Sequence, residues 1–364
     1  MVHVVAPGTV DDPLRPSGGN TYDRRVCEEL TALGWSLEVH ALPGRWPHPD
    51  AAARALLGSV LAAVPDGALV LLDGLVACCS PDVLVPEARR LPLVVLVHLP
   101  LGMRGDGDGT GPAAADEAAV LSAAAAVVAT SRWTRSWLLR RYSLARGRVA
   151  VAQPGVEAAP LATGSAGGGR LLCVAAVTPG KGQDQLLTAL AGVVDLEWRC
   201  TFAGTLALDP SFAEGLVRQA REAGVADRVR FLGPVTGREL DGLYAGSDLL
   251  VLASRFETYG MVVTEALARG IPVVATSVGG VPEALGPASG GTPPGLLVDP
   301  GDTEALAGAL RSWLIEPELR DRLRGAARCR RRSLPPWSVT VRRVAAVLTQ
   351  ASGEPSRAGR RPSR

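Results

Sequence analysis

The chain has 364 residues, 47% of them hydrophobic and 20% charged, with a formal net charge of +2. That length fits two domains of ordinary size, each with enough apolar residues to bury a core. The near balance of charge argues against nucleic acid as an obligatory partner.

Val2 to Ala6 reads as a first apolar strand. No signal peptide and no apolar run long enough to cross a bilayer is seen, so a cytoplasmic setting is expected. The loop PGTVDDPLRPSGGN follows, then a helix from about Thr21 to Leu33 stopped by Gly34. Gly18 and Gly19 thus stand where a strand hands over to a helix, and small residues there let a phosphate approach the helix start. A plain turn explains a double glycine equally well, and the G-x-G-x-x-G of nicotinamide binders is absent. Alternation continues with strand Ser36 to Leu42, helix Asp50 to Val64, strand Ala68 to Leu72 and strand Leu93 to His98. Apolar residues at three and four spacing suit helices packed on a parallel sheet. His98, one of four histidines, ends its strand at the carboxyl edge, where a ligand crevice forms; a histidine satisfied by backbone is the plainer reading.

Residues 102–112 form a glycine-rich loop expected to be mobile and to line a ligand crevice. Asp106-Gly107-Asp108 imitates a DxD metal motif, but a metal wants rigid carboxylates, so no metal site is assigned. Strand Ala126 to Ala129 runs into Thr130-Ser131 and the helix RWTRSWLLRRY. Arg132, Trp133, Arg135 and Trp137 can shape a ligand pocket, although their period also fits plain packing on the sheet. After Val149 to Ala152 and Gln153-Pro154-Gly155-Val156, the Gly/Ala/Ser-rich run Ala158 to Gly169 reads as a linker.

Leu171 to Ala176 restarts the pattern, and Gly180-Lys181-Gly182 introduces the next helix. A lysine at a helix start after a strand can reach a diphosphate that the helix N–H groups also support. Strand Arg199 to Ala203, helix Ser211 to Ala223, strand Val229 to Leu232 and helix Arg238 to Ala245 lead to SDLLVLASRFETYGMVVTEALARGIPVVATSVGGVPE. There Leu249 to Ala253 is a buried strand, Gly260 opens a helix, Gly270 stops it, and Pro272 to Ala275 is a second strand. Glu257 lies in the loop leaving the first strand and Glu265 on the helix. Carboxylates accept hydrogen bonds from hydroxyls, while the N–H groups around Gly260 and Met261 favour phosphate, so the pair suggests a sugar nucleotide. Helices near Thr303 to Leu314 and Pro317 to Arg331 follow. Arg328, Arg330, Arg331 and Arg332 read as a solvated helix end more readily than as a membrane-docking patch. Pro335-Pro336-Trp337 introduces a last amphipathic helix to Gln350. The six cysteines (27, 78, 79, 173, 200, 329) lack metal spacing and are expected to be buried, reduced thiols.

Glu257, seven residues, Glu265, then Gly279-Gly280 and Glu283, resembles the signature of retaining glycosyltransferases of family 4, on the two-domain glycosyltransferase-B fold. The resemblance covers nearly the whole chain. It implies an α/β architecture of two Rossmann-like domains with an interdomain cleft: residues 1–157 on the acceptor side, linker 158–169, a nucleotide-sugar domain 170–334, a helix 335–350 returning to the first domain, and a disordered tail 351–364. It implies catalytic roles for Glu257, Lys181 and His98, the last near the transferred sugar. Gly18, Gly19, Gly233, Thr258, Gly260, Met261, Val262 and Glu265 would join Lys181 and Glu257 in binding the donor, with Gly233 meeting the nucleobase through backbone. Asn20, Thr21 and Arg132 are assigned to the acceptor side. The arginine usual five or six residues before the lysine is missing, since Ala175 and Ala176 stand there; Arg255 is the candidate substitute cation. The implied function is metal-independent, cofactor-free transfer, with retained configuration, from a UDP- or GDP-sugar to an unidentified acceptor. The leaving phosphate would take the acceptor's proton. The alternatives are a catalytically silent sugar-nucleotide-binding protein, or a hydrolase or epimerase on the same fold; phosphorylase chemistry lacks its pyridoxal-binding lysine.

Overall fold

The computed structural model describes residues 1–103, 111–287 and 291–353. The Asp106-Gly107-Asp108 triplet and the tail from residue 354 lie outside the described residues. The chain divides into two compact units: Met1–Asp12, Gly19–Gly155 and the residues from Trp337 on form the first, and Pro13–Gly18 with Val156–Pro336 the second.

The first unit is built on β1 (Val2–Pro7), β2 (Leu37–Leu42), β3 (Leu69–Asp73), β4 (Leu93–Val97), β5 (Ala126–Ala129) and β6 (Val149–Val151). Their order in the sheet is β2-β1-β3-β4-β5-β6, and every neighbouring pair is parallel. β1, β3 and β4 are buried at every position, which is why they read as apolar runs broken only by His3 and by Asp73 at the end of β3: helices cover both faces of a parallel sheet. The helix Trp337–Ala351 belongs to this unit, burying Trp337, Val341, Val344 and Leu348 and packing on β4 and β5. Its Thr340 hydroxyl donates to the Gln153 carbonyl at 2.7 Å.

Two local differences from the sequence reading have physical causes. The first helix spans Gly18–Ala32, not Thr21 onward, so the two glycines are its first turn; read as loop formers, they hid it. A helix at Pro112–Ala123 goes unread because alanines carry little periodic signal. Its Glu117 is buried and accepts from the Leu101 and Gly102 amides, at 2.9 and 3.0 Å, and from the Tyr142 hydroxyl at 2.5 Å.

The second unit carries β7 (Arg170–Val174), β8 (Arg199–Ala203), β9 (Val229–Phe231), β10 (Leu249–Leu252), β11 (Val273–Thr276) and β12 (Gly295–Val298). The order is β12-β11-β10-β7-β8-β9, again all parallel. Alternate residues of β10 serve two cores: Leu249 and Val251 join Leu190, Phe202 and Trp313, while Leu250 and Leu252 join Tyr259, Val263 and Leu267. The Gly/Ala/Ser-rich segment before β7 is tied down rather than loose. Buried Asp248 accepts from Ser165 N, Ser165 Oγ and Arg170 N at 2.6 to 2.8 Å. The basic cluster is likewise only partly solvated. Arg330 Nε donates to Leu285 O, and Arg331 donates to the carbonyls of Ala268 and Ala159, while Arg328 and Arg332 are exposed.

Candidate functional site

In an open parallel sheet, ligands bind beyond the carboxyl ends of the strands, where the strand order reverses. In the second sheet that point lies between β7 and β10. Lys181 follows β7 and Glu257 follows β10, and the structure joins them: Lys181 Nζ stands 2.5 Å from Glu257 Oε2. Glycines make the approach possible. Gly182 has φ +66 and a Cβ there would overlap the Ala253 carbonyl; one on Gly180 would meet the Phe256 ring at 2.5 Å. The Arg255 amide donates to the Gly180 carbonyl at 2.9 Å, tying the two loops edge to edge.

The Gly279-Gly280 pair supports the same loop from the other side. Gly279 has φ +53, and Cβ atoms on the two glycines would overlap the carbonyl oxygens of Glu257 and Thr258. The Gly280 amide donates to Glu257 O at 3.1 Å. The motif glycines therefore place Glu257 by letting backbone touch backbone. Gly260, at φ +88, then starts the helix Met261–Ala268, whose first N–H groups, Met261 and Val262 among them, are the orphan donors of a helix start. Gly270, at φ +69, stands just beyond the end of that helix.

Glu265 sits on that helix and accepts from the Tyr244 hydroxyl at 2.8 Å. Burial raises its pKa, against the opposing pull of Tyr244 and Arg269. Gly233, at φ +76, offers backbone only, and its carbonyl accepts from Gly204 N at 2.8 Å. Arg255 is engaged elsewhere: its two terminal nitrogens grip Asp184 at 2.9 and 2.6 Å, and it also donates to the Pro179 carbonyl. The ion pair with Lys181 is made by Glu257, while the guanidinium meant to replace the missing arginine is held by a second acid.

In the first sheet the order reverses between β1 and β3. Asp73 ends β3, His98 follows β4, and Asp23 lies on the helix Gly18–Ala32. His98 Nε2 is 2.7 Å from Asp23 Oδ1 and 3.8 Å from Asp73 Oδ2. The Tyr22 ring meets the imidazole edge-on at 5.1 Å and donates its hydroxyl to Ala152 O at 2.9 Å. Gly19 lies against the imidazole, since a Cβ there would come within 3.3 Å of His98 Cδ2. Burial alone drives the His98 ring toward neutrality. The Asp23 charge, the hydrogen bond to it and Asp73 outweigh burial and raise the pKa to about 9. Burial first, then the Asp23 charge, pushes the Asp73 carboxyl well above the ordinary range.

The acceptor-side assignments fare differently from one another. Asn20 Nδ2 donates to Thr9 O at 2.8 Å, Thr21 is half-buried, and Arg132 is exposed at its helix start. Arg135 binds the carbonyls of Val149 and Arg146, and Trp137 packs edge-on to Tyr142; both serve the packing of their helix.

Sequence reasoning missed Asp23 and Asp73, each a lone acid with no motif around it. It also passed over a signal for Lys181. Among the 38 Lys and Arg residues of the chain, Lys181 is the single lysine. Among the described residues, two clusters bring possible metal ligands together, His3-Glu38-His40 and Asp23-Asp73-His98. In the former, His3 Nδ1 meets His40 Nε2 at 3.2 Å, a nitrogen-to-nitrogen hydrogen bond flanked by Glu38. All six cysteines are free, and Cys78, Cys79, Cys173 and Cys200 are buried.

Residues 166–330 match the family described as glycosyl transferases group 1. A D-inositol 3-phosphate glycosyltransferase of Streptomyces avermitilis is 33% identical over 285 residues, covering 71% of this chain and 60% of that protein. D-inositol 3-phosphate glycosyltransferase 1 of Catenulispora acidiphila is 32% identical over 296 residues, covering 74% and 69%. The chain thus spans about three-fifths to two-thirds of the length of these relatives. Among solved structures, sucrose-phosphate synthase of Thermosynechococcus elongatus aligns over 96% of this chain and 98% of its own, with a TM-score of 0.78 at 21% identity. Anabaena HepE in complex with UDP-glucose aligns over 96% and 100%, with a TM-score of 0.75 at 18% identity. At such identities the likeness is one of fold, and it bears out the two Rossmann-like domains expected from the sequence.

Proposed function

The chain belongs to the glycosyl transferases group 1, and from that premise we propose that it moves a sugar from a nucleoside diphosphate sugar to a hydroxyl-bearing acceptor, without a metal and with retained anomeric configuration. The observation that carries this reading is the Lys181–Glu257 ion pair at the strand-order reversal of the second sheet. A diphosphate entering there competes for the Lys181 ammonium, freeing Glu257 to accept hydrogen bonds from sugar hydroxyls. Lys181 and the N–H groups at the start of the helix Met261–Ala268 hold the leaving phosphate as negative charge builds on it. Glu265 takes the ribose hydroxyls, and Gly233 meets the base through backbone. The leaving phosphate takes the acceptor proton on the same face, so no enzymic nucleophile is needed.

UDP is the first nucleotide to test, because HepE is described in complex with UDP-glucose. A polyol phosphate is the first acceptor, because the relatives are named for inositol 3-phosphate. The Asp184 clamp on Arg255 and the alanines at 175 and 176 favour one second reading, a protein that binds sugar nucleotides without turning them over. One experiment separates the two: incubate the protein with UDP- and GDP-sugars and a panel of polyol phosphates, with and without EDTA, and measure binding and nucleotide release. Acceptor-dependent release that survives EDTA supports transfer. Saturable binding without release, for every acceptor, favours the silent protein. The anomeric configuration of the product, read by NMR, decides retention.

A further inference from the structure

We propose that Asp23 and Asp73 are positioning residues for His98, gripping its ring through Nε2 so that Nδ1 is presented, hydrogen attached, to an oxygen-rich ligand at the carboxyl end of the first sheet. An imidazole held by a carboxylate through one nitrogen has two options. Neutral, it keeps Nδ1 bare as an acceptor; charged, it donates from Nδ1 as well. The surroundings of the ring decide between them. Asp23, from the helix Gly18–Ala32, lies 2.7 Å from Nε2, and Asp73, from the end of β3, stands 3.8 Å from the same nitrogen. Tyr22 is the other titratable group against the ring, and Gly19 covers its Cδ2 edge. Arg343, on the helix Trp337–Ala351, is the cation that acts on Tyr22, while the charges that act on His98 itself are those of Asp23 and Asp73.

The two acids share their burden. Asp23 Oδ2 is buried with no hydrogen-bond partner, and Asp23 and Asp73 are only 4% and 3% exposed. A proton on Asp73 directed at Asp23 Oδ2 satisfies that oxygen and removes one negative charge from the interior. The trio is then one imidazolium, one carboxylate and one neutral acid. It supplies a strong hydrogen-bond donor while adding no net charge. The identity of the ligand rests on the glycosyltransferase reading; the charge state of His98 does not.

The test is histidine-selective NMR on the full chain, whose four histidines are few enough to assign with a His98→Gln variant. The expected midpoint for His98 in the parent protein is about 9; Asp23→Asn should lower it by about 1 to 3 units, and Asp73→Asn by less. A parent midpoint at or below 7 overturns the proposal with no variant needed. Transfer rates in the Asp23→Asn protein should fall off at a correspondingly lower pH; a uniform loss at every pH, with the alkaline limb unmoved, also overturns it. If the parent releases nucleotide from no sugar nucleotide, the glycosyltransferase reading fails while the titration still decides the state of His98.

Discussion

The two sheets solve one problem, presenting charge at a strand-order reversal, in opposite ways. In the second unit a lysine and a glutamate face each other from two glycine-lined loops, with side chains 30% and 16% exposed. In the first, a histidine is held between two acids that solvent scarcely touches. Ligand oxygens can take over the bonds of the former pair, because each partner can find a substitute: phosphate for the glutamate, hydroxyls for the lysine. The latter is a fixture, since breaking it leaves charge stranded in the interior.

That contrast can be broken at several points. Lys181→Ala or Glu257→Ala should have the largest effect, a loss of roughly 100- to 1000-fold in nucleotide release with thermal unfolding close to that of the parent. Near-parental turnover in both would remove the second sheet from consideration as the reacting site. Gly279→Ala tests the support beneath Glu257: a Cβ cannot coexist with the Glu257 carbonyl. A loss of roughly 2–4 kcal/mol of stability, read by chemical denaturation, together with most of the activity, is expected.

The first unit supplies the next test through pH. His98 has its folded pKa raised to about 9 from an ordinary value near 6.5. Its contribution is therefore complete below about 6.5 and lost as pH climbs through about 9. His98→Gln should destabilise the protein by on the order of 2 kcal/mol at pH 6 and by much less at pH 10. Equal losses at both values would mean that the ring acts by shape alone. Glu265→Gln comes next, with roughly a tenfold rise in KM and little change in kcat if it holds only ribose. Arg255→Ala should matter least: its partly exposed pair with Asp184 contributes about 1 kcal/mol or less, and turnover should drop only a few-fold. A loss beyond tenfold would show that the guanidinium leaves Asp184 for the diphosphate.

The second unit was the more legible half because backbone constraint writes itself into sequence. Gly182, Gly260, Gly279 and Gly280 are glycine for geometric reasons, and a run of such positions with Lys181, Glu257 and Glu265 between them makes a pattern. The first unit hides its chemistry. Asp23 looks like any helix acid until the fold turns it inward, and Asp73 is one carboxyl at the end of an apolar strand. Its Ala-rich helix Pro112–Ala123, which carries buried Glu117, has almost no periodicity to detect. Arg255 shows the opposite failure, a residue with suitable charge and position whose partner, Asp184, lies 71 residues upstream.

The solitary lysine has a practical consequence. Apart from a chain terminus, Lys181 is the sole primary amine in this chain, so an acylating reagent has almost nowhere else to react. Its rate of modification, followed by mass spectrometry, becomes a direct gauge of occupancy: any molecule that shields that amine slows the reaction, whether or not it is ever converted.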